Sequence, residues 1–503
     1  MRFSAKPPGP VAGEVEDRRG GDRGSGLGAR GAGLGPAMGA PGGGDTRGAG
    51  GVYAEAHQVG LALAAEGRVV DAEVALRGAW EWRGKALGPD HEDTLASQAA
   101  LAGVLRRAGR PVEAEPLARG CLEAHTRSVG AAHPRTHLSA LALAGVVKDV
   151  GDASRRDEVD GLYAGACEGI AAALGEAHPA ALAALNNHAV FLKGCNRLVE
   201  AEALYRRVLP LSEKAIGADH LHTLASASNL AIVLDLRAAE ARGREGGGAG
   251  GAGGRGEDPR AREAEDLFRR VLGGYRAALG DGHPETVATA SYLADACREG
   301  GRSAGREALL DEAEALYKEV AKTRRTTLGE DDPLTLMSLN NLGVFLKHRN
   351  PEQSVQVLEE ALAGARRAFG DKHPDTVSTA NNLALVLGAN GANKQAAALL
   401  RKAMSDWKDA FGTEHPGTLE ALHSLGQRLA DEKKFGEAEP VLADALAGRK
   451  DALGCTHPDT LDTMQLYAQV LYGAGRKEDS QAMQAELDRC ALEHQRDKAA
   501  GCA

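Results

Sequence analysis

Aromatic residues make up only 4% of this 503-residue chain, although 43% of it is hydrophobic. Alanine and leucine therefore carry most of the apolar burial, a composition suited to closely packed helices. Cysteine is sparse and scattered. The seven cysteines (Cys121, Cys167, Cys195, Cys297, Cys455, Cys490 and Cys502) form no CxxC pair, and their number is odd. That pattern argues against a zinc ribbon or a disulfide framework and favours a reducing compartment. No apolar run approaches the roughly 20 residues that span a bilayer. The opening MRFSAKPPGP lacks the apolar core of a secretory signal. A cytoplasmic protein is expected, without membrane insertion. Net charge is −10, so no global field favours nucleic acid or an acidic membrane. No GxxxxGK[ST], GxGxxG after a strand, GxSxG or HExxH occurs, and no strand pattern is evident. No enzyme and no cofactor are expected. Paired carboxylates such as Glu437 and Glu439 read as the solvated or inter-helix side of a helix.

What the sequence has in abundance is repetition. LGPDHEDTL at 87–95 recurs as VGAAHPRTH, LGEAHPAAL, IGADHLHTL, LGDGHPETV, LGEDDPLTL, FGDKHPDTV, FGTEHPGTL and LGCTHPDTL. The shared glycines (Gly88, Gly130, Gly175, Gly217, Gly280, Gly329, Gly370, Gly412 and Gly454) are 42, 45, 42, 63, 49, 41, 42 and 42 residues apart. A near-fixed period of this size is the signature of a solenoid.

Each period reads as two helices. Glycine ends one helix, His or Asp caps the next, and Pro takes its first position. A break such as Gly67, Gly109, Gly391 or Gly475 then separates the two helices of a pair. Small residues recur after the apolar position of the first helix, as at Ala102, Ala144, Gly343, Ala384 and Gly426. They recur again five residues after the break, as at Ala72, Ala114, Ala396 and Ala438. Small residues at matched places let paired helices approach closely. The expected fold is all-α: a right-handed superhelical solenoid of about ten helix pairs with a 42-residue period, over residues 52–496. Residues 1–51, rich in Gly, Arg and Pro, are expected to be disordered, as are the tail at 497–503 and a Gly-rich loop at 243–259.

The repeated histidines (His91, His133, His178, His220, His283, His373, His415 and His457) are too far apart to share a metal. Successive pairs are separated by two helix widths, roughly 15–20 Å, whereas zinc holds its ligands at about 2 Å. They are expected to be caps, a role that Asp332 fills in the sixth copy.

The asparagines are different. Asn187, Asn229, Asn341 and Asn382 hold one place inside the first helices, and Asn186, Asn340 and Asn381 precede three of them. Asparagine costs a helix interior roughly 0.6 kcal/mol relative to alanine, so each amide is expected to have a partner. That partner is either an extended peptide lying along the first helices or a neighbouring helix. Lys193 and Lys347 follow one to two turns later, and Tyr292 takes the matching place in the sixth pair.

Small–small helix pairs at these spacings resemble tetratricopeptide repeats. The 42-residue period with LGxxHPxT and NNLA resembles the repeats of kinesin light chains and nephrocystin-3-like proteins in particular. The resemblance covers about nine-tenths of the chain. It implies a non-catalytic scaffold that takes an extended peptide of a partner protein in its concave groove, with motor or cytoskeletal partners and a cytoskeletal location. Asn186, Asn187, Asn229, Asn340, Asn341, Asn381, Asn382, Lys193, Lys347 and Tyr292 would line that groove. The heptad coiled coil that joins such light chains to the motor has no counterpart in residues 1–51. A structural assembly protein working through its convex surface is the alternative.

Overall fold

The computed structural model describes residues 46–245 and 258–500. The expected disorder at 1–45, 246–257 and 501–503 lies outside the described residues. Among those described, the chain forms twenty α-helices, one 3₁₀ turn (Ala153–Arg155) and no strand. It divides into two compact units, one ending at Val233 and one beginning at Leu234.

The first unit contains α1 (Thr46–Ala65), α2 (Val69–Leu87), α3 (Glu92–Arg107), α4 (Pro111–Ser128), α5 (Pro134–Val150), α6 (Arg156–Leu174), α7 (Pro179–Gly194) and α8 (Leu198–Ile216). The unit boundary falls within α9 (Leu221–Glu245). The second unit continues with α10 (Pro259–Leu279), α11 (Pro284–Ala304), α12 (Glu307–Leu328), α13 (Pro333–Leu346), α14 (Pro351–Phe369) and α15 (Pro374–Ala389). It ends with α16 (Asn393–Phe411), α17 (Pro416–Asp431), α18 (Phe435–Leu453), α19 (Pro458–Gly473) and α20 (Lys477–Ala500).

Three boundaries differ from those expected. Helix α1 begins at Thr46 rather than Val52, α9 continues through Gly243 to Glu245, and α20 runs past Arg496 to Ala500. Each extension is polar or Gly-rich, and periodicity alone does not register such residues as helical. Pro259, expected to close the loop, is instead the first residue of α10, with Asp258 as its cap.

In the first unit the helices from α1 to α8 pack successively, each on the next in sequence, and in the second those from α10 to α20 do so. The more extensive contacts that skip a helix join odd-numbered ones: α1–α3 and α3–α5 in the first unit, α13–α15, α15–α17 and α17–α19 in the second. The first helices of the pairs thus form an inner layer in each unit and the even-numbered helices an outer one.

The small residues explain how tightly a pair closes. Ala144, Ala189, Ala231, Ala294 and Ala384 are fully buried, as are Ala72, Ala114, Ala201, Ala264, Ala313, Ala396 and Ala438 on the second helices. A methyl group added at Gly343 would stand 2.5 Å from Leu358 Cγ, and one at Gly426 2.5 Å from Leu442. Successive pairs dock through buried arginines. Arg83 donates to the Asp93 carbonyl and to Ser97 Oγ at 2.9 and 2.8 Å, and Arg449 repeats this with Asp459 and Thr463.

Candidate functional site

The HPxT signature is used up by backbone geometry. At each of the eight copies the histidine Nδ1 accepts a hydrogen bond from the amide two residues on, at 3.1–3.2 Å. Asp332 does the same for Leu334 at 2.8 Å. The threonine completes the turn by donating back to the glycine carbonyl, as in Thr376 to Gly370 (2.8 Å) and Thr223 to Gly217 (2.7 Å). This satisfies one carbonyl left open at the preceding helix end. The histidine role was legible in the sequence; the threonine latch was not singled out.

Carboxylates on the second helices are likewise occupied. Glu437 takes Arg401 at 2.8 Å, and Glu439 takes Arg476. The same exchange joins Arg110 to Glu73 (2.6 Å), Arg155 to Glu115 (2.7 Å) and Arg197 to Asp160 (2.5 Å) in the first unit. These partners lie 36–40 residues apart, one pair to the next.

On the inner layer of the first unit, α3, α5 and α7 flank a cleft of about 450 Å³. Arg106 lies across Gly145, with its Nε 3.7 Å from Asp149, and Lys148 stands 3.2 Å from the same carboxylate. Leu138, Leu141 and Val190 supply apolar surface, and Asn187 is exposed at the edge. Arg106, Lys148 and Asp149 were not anticipated. Their signal was position: Arg106 and Lys148 sit three residues before a left-handed glycine, just as Lys193 sits three before the left-handed Asn196.

Lys193 Nζ donates to Asn229 Oδ1 at 3.0 Å, so these two residues are brought together on neighbouring first helices. Burial pulls the lysine pKa down from its ordinary value. Asn186 Oδ1 is buried without a partner. His188, two residues on, takes the place that is apolar elsewhere. It does so by bonding Asp160 at 2.7 Å and stacking on Tyr163 with ring centres 5.8 Å apart.

The second unit groups Asn340, Asn341, Lys347, Asn381 and Asn382 on α13, α15 and the turn after α13. Asn382 Nδ2 donates to Asn340 Oδ1 at 2.9 Å, both residues being buried. This amide pair joins adjacent repeats. Asn381 beside it is also buried, and neither its Oδ1 nor its Nδ2 has a partner. Asn341 is half-buried. Lys347 has its pKa lowered by burial first, then by the nearby charges of Arg428 and Arg302. Tyr292 is half-buried and stacks on Phe268 at 5.9 Å, and burial raises its phenol pKa. In each unit, therefore, the inner layer combines amides, cations and apolar side chains.

This two-layer arrangement of helix pairs accords with the family profiles that match it. Two tetratricopeptide-repeat profiles match, one over residues 344–409 and 378–451, the other over 94–135, 181–222, 260–285 and 308–334. The chain carries tetratricopeptide repeats. It forms a repeat scaffold of the kind used for protein interaction. Among solved structures, the apo form of the quorum sensor NprR from B. thuringiensis is 13% identical with a TM-score of 0.50, covering 77% of this chain and 97% of its own. That likeness concerns the fold. Nearly identical repeats from Podosopora anserina, assigned as a kinesin light chain, are 22% identical over 41% of this chain and 98% of theirs, with a TM-score of 0.36. BtubC (BKLC) from P. vanneervenii is 20% identical over 53% of this chain and 93% of its own, with a TM-score of 0.37. No curated protein matches. Among the described residues no helix is long and apolar enough to cross a membrane.

Proposed function

We propose that this tetratricopeptide-repeat chain is a non-catalytic scaffold that holds an extended segment of a partner protein along its first helices. The observation that carries this reading is the cleft between α3, α5 and α7. An extended segment presents one N–H and one C=O per residue. The Asn187 amide offers both a donor and an acceptor to meet them. Arg106 and Lys148 add charged donors at one side, while Leu138, Leu141 and Val190 take apolar side chains. Asn187 is exposed, and Asn341 at the matching place of the second unit is half-buried, which supports a ligand-facing role for that asparagine position. The resemblance of LGxxHPxT and NNLA to kinesin light chain repeats supports a cargo-adaptor role, with motor or cytoskeletal partners.

The test uses the full chain and the variant Asn187→Ala/Lys148→Ala, each carrying a photo-reactive residue at Val190. Crosslinked partners are identified by mass spectrometry, and helicity and melting are followed in parallel. Partner segments crosslinked to the parent but lost from the equally folded variant support the groove. The same partners, captured equally by both proteins, would move the working surface to the outer helices and favour the assembly reading.

A further inference from the structure

Among the described residues, one cluster of metal-ligating side chains, Cys455, Cys490 and Glu493, stands apart from the repeat pattern. Cys455 follows the helix-ending Gly454, where the eight earlier copies have Pro89, Ala131, Glu176, Ala218, Asp281, Glu330, Asp371 and Thr413. It sits in the turn between α18 and α19. Cys490 lies on α20 and is fully buried, while Glu493, one turn further along the same face, is exposed. The ligand atoms of Cys455, Cys490 and Glu493 all lie within 4.8 Å of one another. Leu446 and Met464 are buried with Cys490, and Leu461 and Leu487 pack against them. The cluster thus has an apolar floor and one side open to water. Both cysteines are free thiols.

We propose that Cys455, Cys490 and Glu493 bind a thiophilic divalent cation such as zinc, tying the last helix to the turn before α19. Two thiolates and a carboxylate are a common donor set for such an ion, at about 2.3 Å for sulfur and about 2.0–2.2 Å for oxygen. Ligand atoms around a tetrahedral ion of this size stand roughly 3.4–3.8 Å apart. Closure therefore needs shifts of about one ångström or less, within the reach of side-chain rotation. Each thiol gives its proton to solvent as its metal–sulfur bond forms, and no atom changes oxidation state. The fourth position faces outward and is filled by water. Geometry gives the site a purpose as well. In a repeat array each element is held only by its neighbours, so a link from α20 to the turn before α19 adds directly to that local interface. A metal bridge from α20 to that turn holds the two together, beside the ion pair of Lys450 with Glu486 (2.9 Å).

The experiment takes the full chain, reduced and stripped of metal with a chelator, and titrates it with Cd²⁺ and with Zn²⁺. The expected result is one tightly bound equivalent, a thiolate-to-cadmium charge-transfer band in the near ultraviolet, and a rise in melting temperature with Zn²⁺. Cys455→Ser and Cys490→Ser each lose the band, Cys195→Ser keeps it, and Glu493→Gln keeps it with weakened affinity. Because Cys490 is buried, the turn variant Cys455→Ser and the exposed Glu493→Gln keep the test independent of folding. An undiminished band in both cysteine variants would overturn the proposal. So would a reduced protein that takes up no metal, whether or not its oxidised form loses two hydrogens to a Cys455–Cys490 disulfide.

Discussion

Asn381 and Asn382 are adjacent in sequence and equally buried, yet their amides stand in opposite situations. Asn382 donates to Asn340 across the gap between repeats. Replacing it by alanine leaves a buried carbonyl oxygen without that donor, which costs about 1–3 kcal/mol. Asn381 loses no hydrogen bond on the same change and gains roughly 0.6 kcal/mol of helix propensity, offset by the small void left behind. Urea denaturation is expected to show Asn382→Ala clearly destabilised and Asn381→Ala near neutral. Equal losses would mean that the Asn340–Asn382 bond is not a stabilising contact. The caps allow a second prediction at this scale. His373→Ala removes the acceptor for the Asp375 amide and is expected to cost about 0.5–2 kcal/mol. His373→Asp retains the cap, because Asp332 already performs it. The separate Nδ1 bonds explain why eight histidines at a fixed period read as structure and not as a metal array.

Between helices, the decisive contact is a leucine entering the space beside a glycine. Gly60 meets Leu76, Gly343 meets Leu358, and Gly426 meets Leu442. Gly343→Ala forces a methyl group into Leu358 and is expected to destabilise by about 1–3 kcal/mol. Gly103, in α3, has nothing within 4 Å of the corresponding position. Gly103→Ala is therefore expected to stabilise by about 0.5–1 kcal/mol, since alanine suits a helix better. Thermal melting of the two variants should shift in opposite directions; shifts of the same sign would contradict this packing. These small positions were legible because a 42-residue period repeats them, and repetition separates a packing rule from chance. The leucine partners were not singled out, because leucine is common on every apolar face. Helix ends were the least legible. Thr46–Gly51, Gly243–Glu245 and Asp497–Ala500 carry no apolar periodicity, and their helical state continues that of the neighbouring turns. Half of the candidate site was legible, because asparagine is unusual inside helices. Arg106 and Lys148 were missed because a cation in a last helical turn ordinarily serves the helix dipole.

Cohesion along the chain comes from contacts that no local pattern reveals. The arginine–carboxylate exchanges between second helices span close to one period, so they emerge only when the repeats are stacked. Singly, such surface pairs contribute little. In an array where each repeat contacts only its neighbours, however, they set the coupling between repeats. Glu115 is the clearest case. Arg155 holds it at 2.7 Å and Arg119 at 2.8 Å, and Arg119 also reaches Glu158 of the next repeat at 2.8 Å. Hydrogen bonds from Arg155 and then Arg119 lower the Glu115 pKa from 4.5 to about 2. A carboxylate whose folded pKa is depressed stabilises the protein above its unfolded value. That stabilisation is lost as pH falls from about 4.5 through about 2. At neutral pH and low salt, Glu115→Gln is expected to melt below the parent protein. The gap between them should narrow as pH falls through that window, because the parent then loses the same charge. It should also narrow in concentrated salt, since both partners are partly exposed and are screened. Melting curves at pH 7, 4 and 3, each in low and high salt, measure the gap directly. A gap that stays constant across these conditions would show that Glu115 acts through packing and not through its charge.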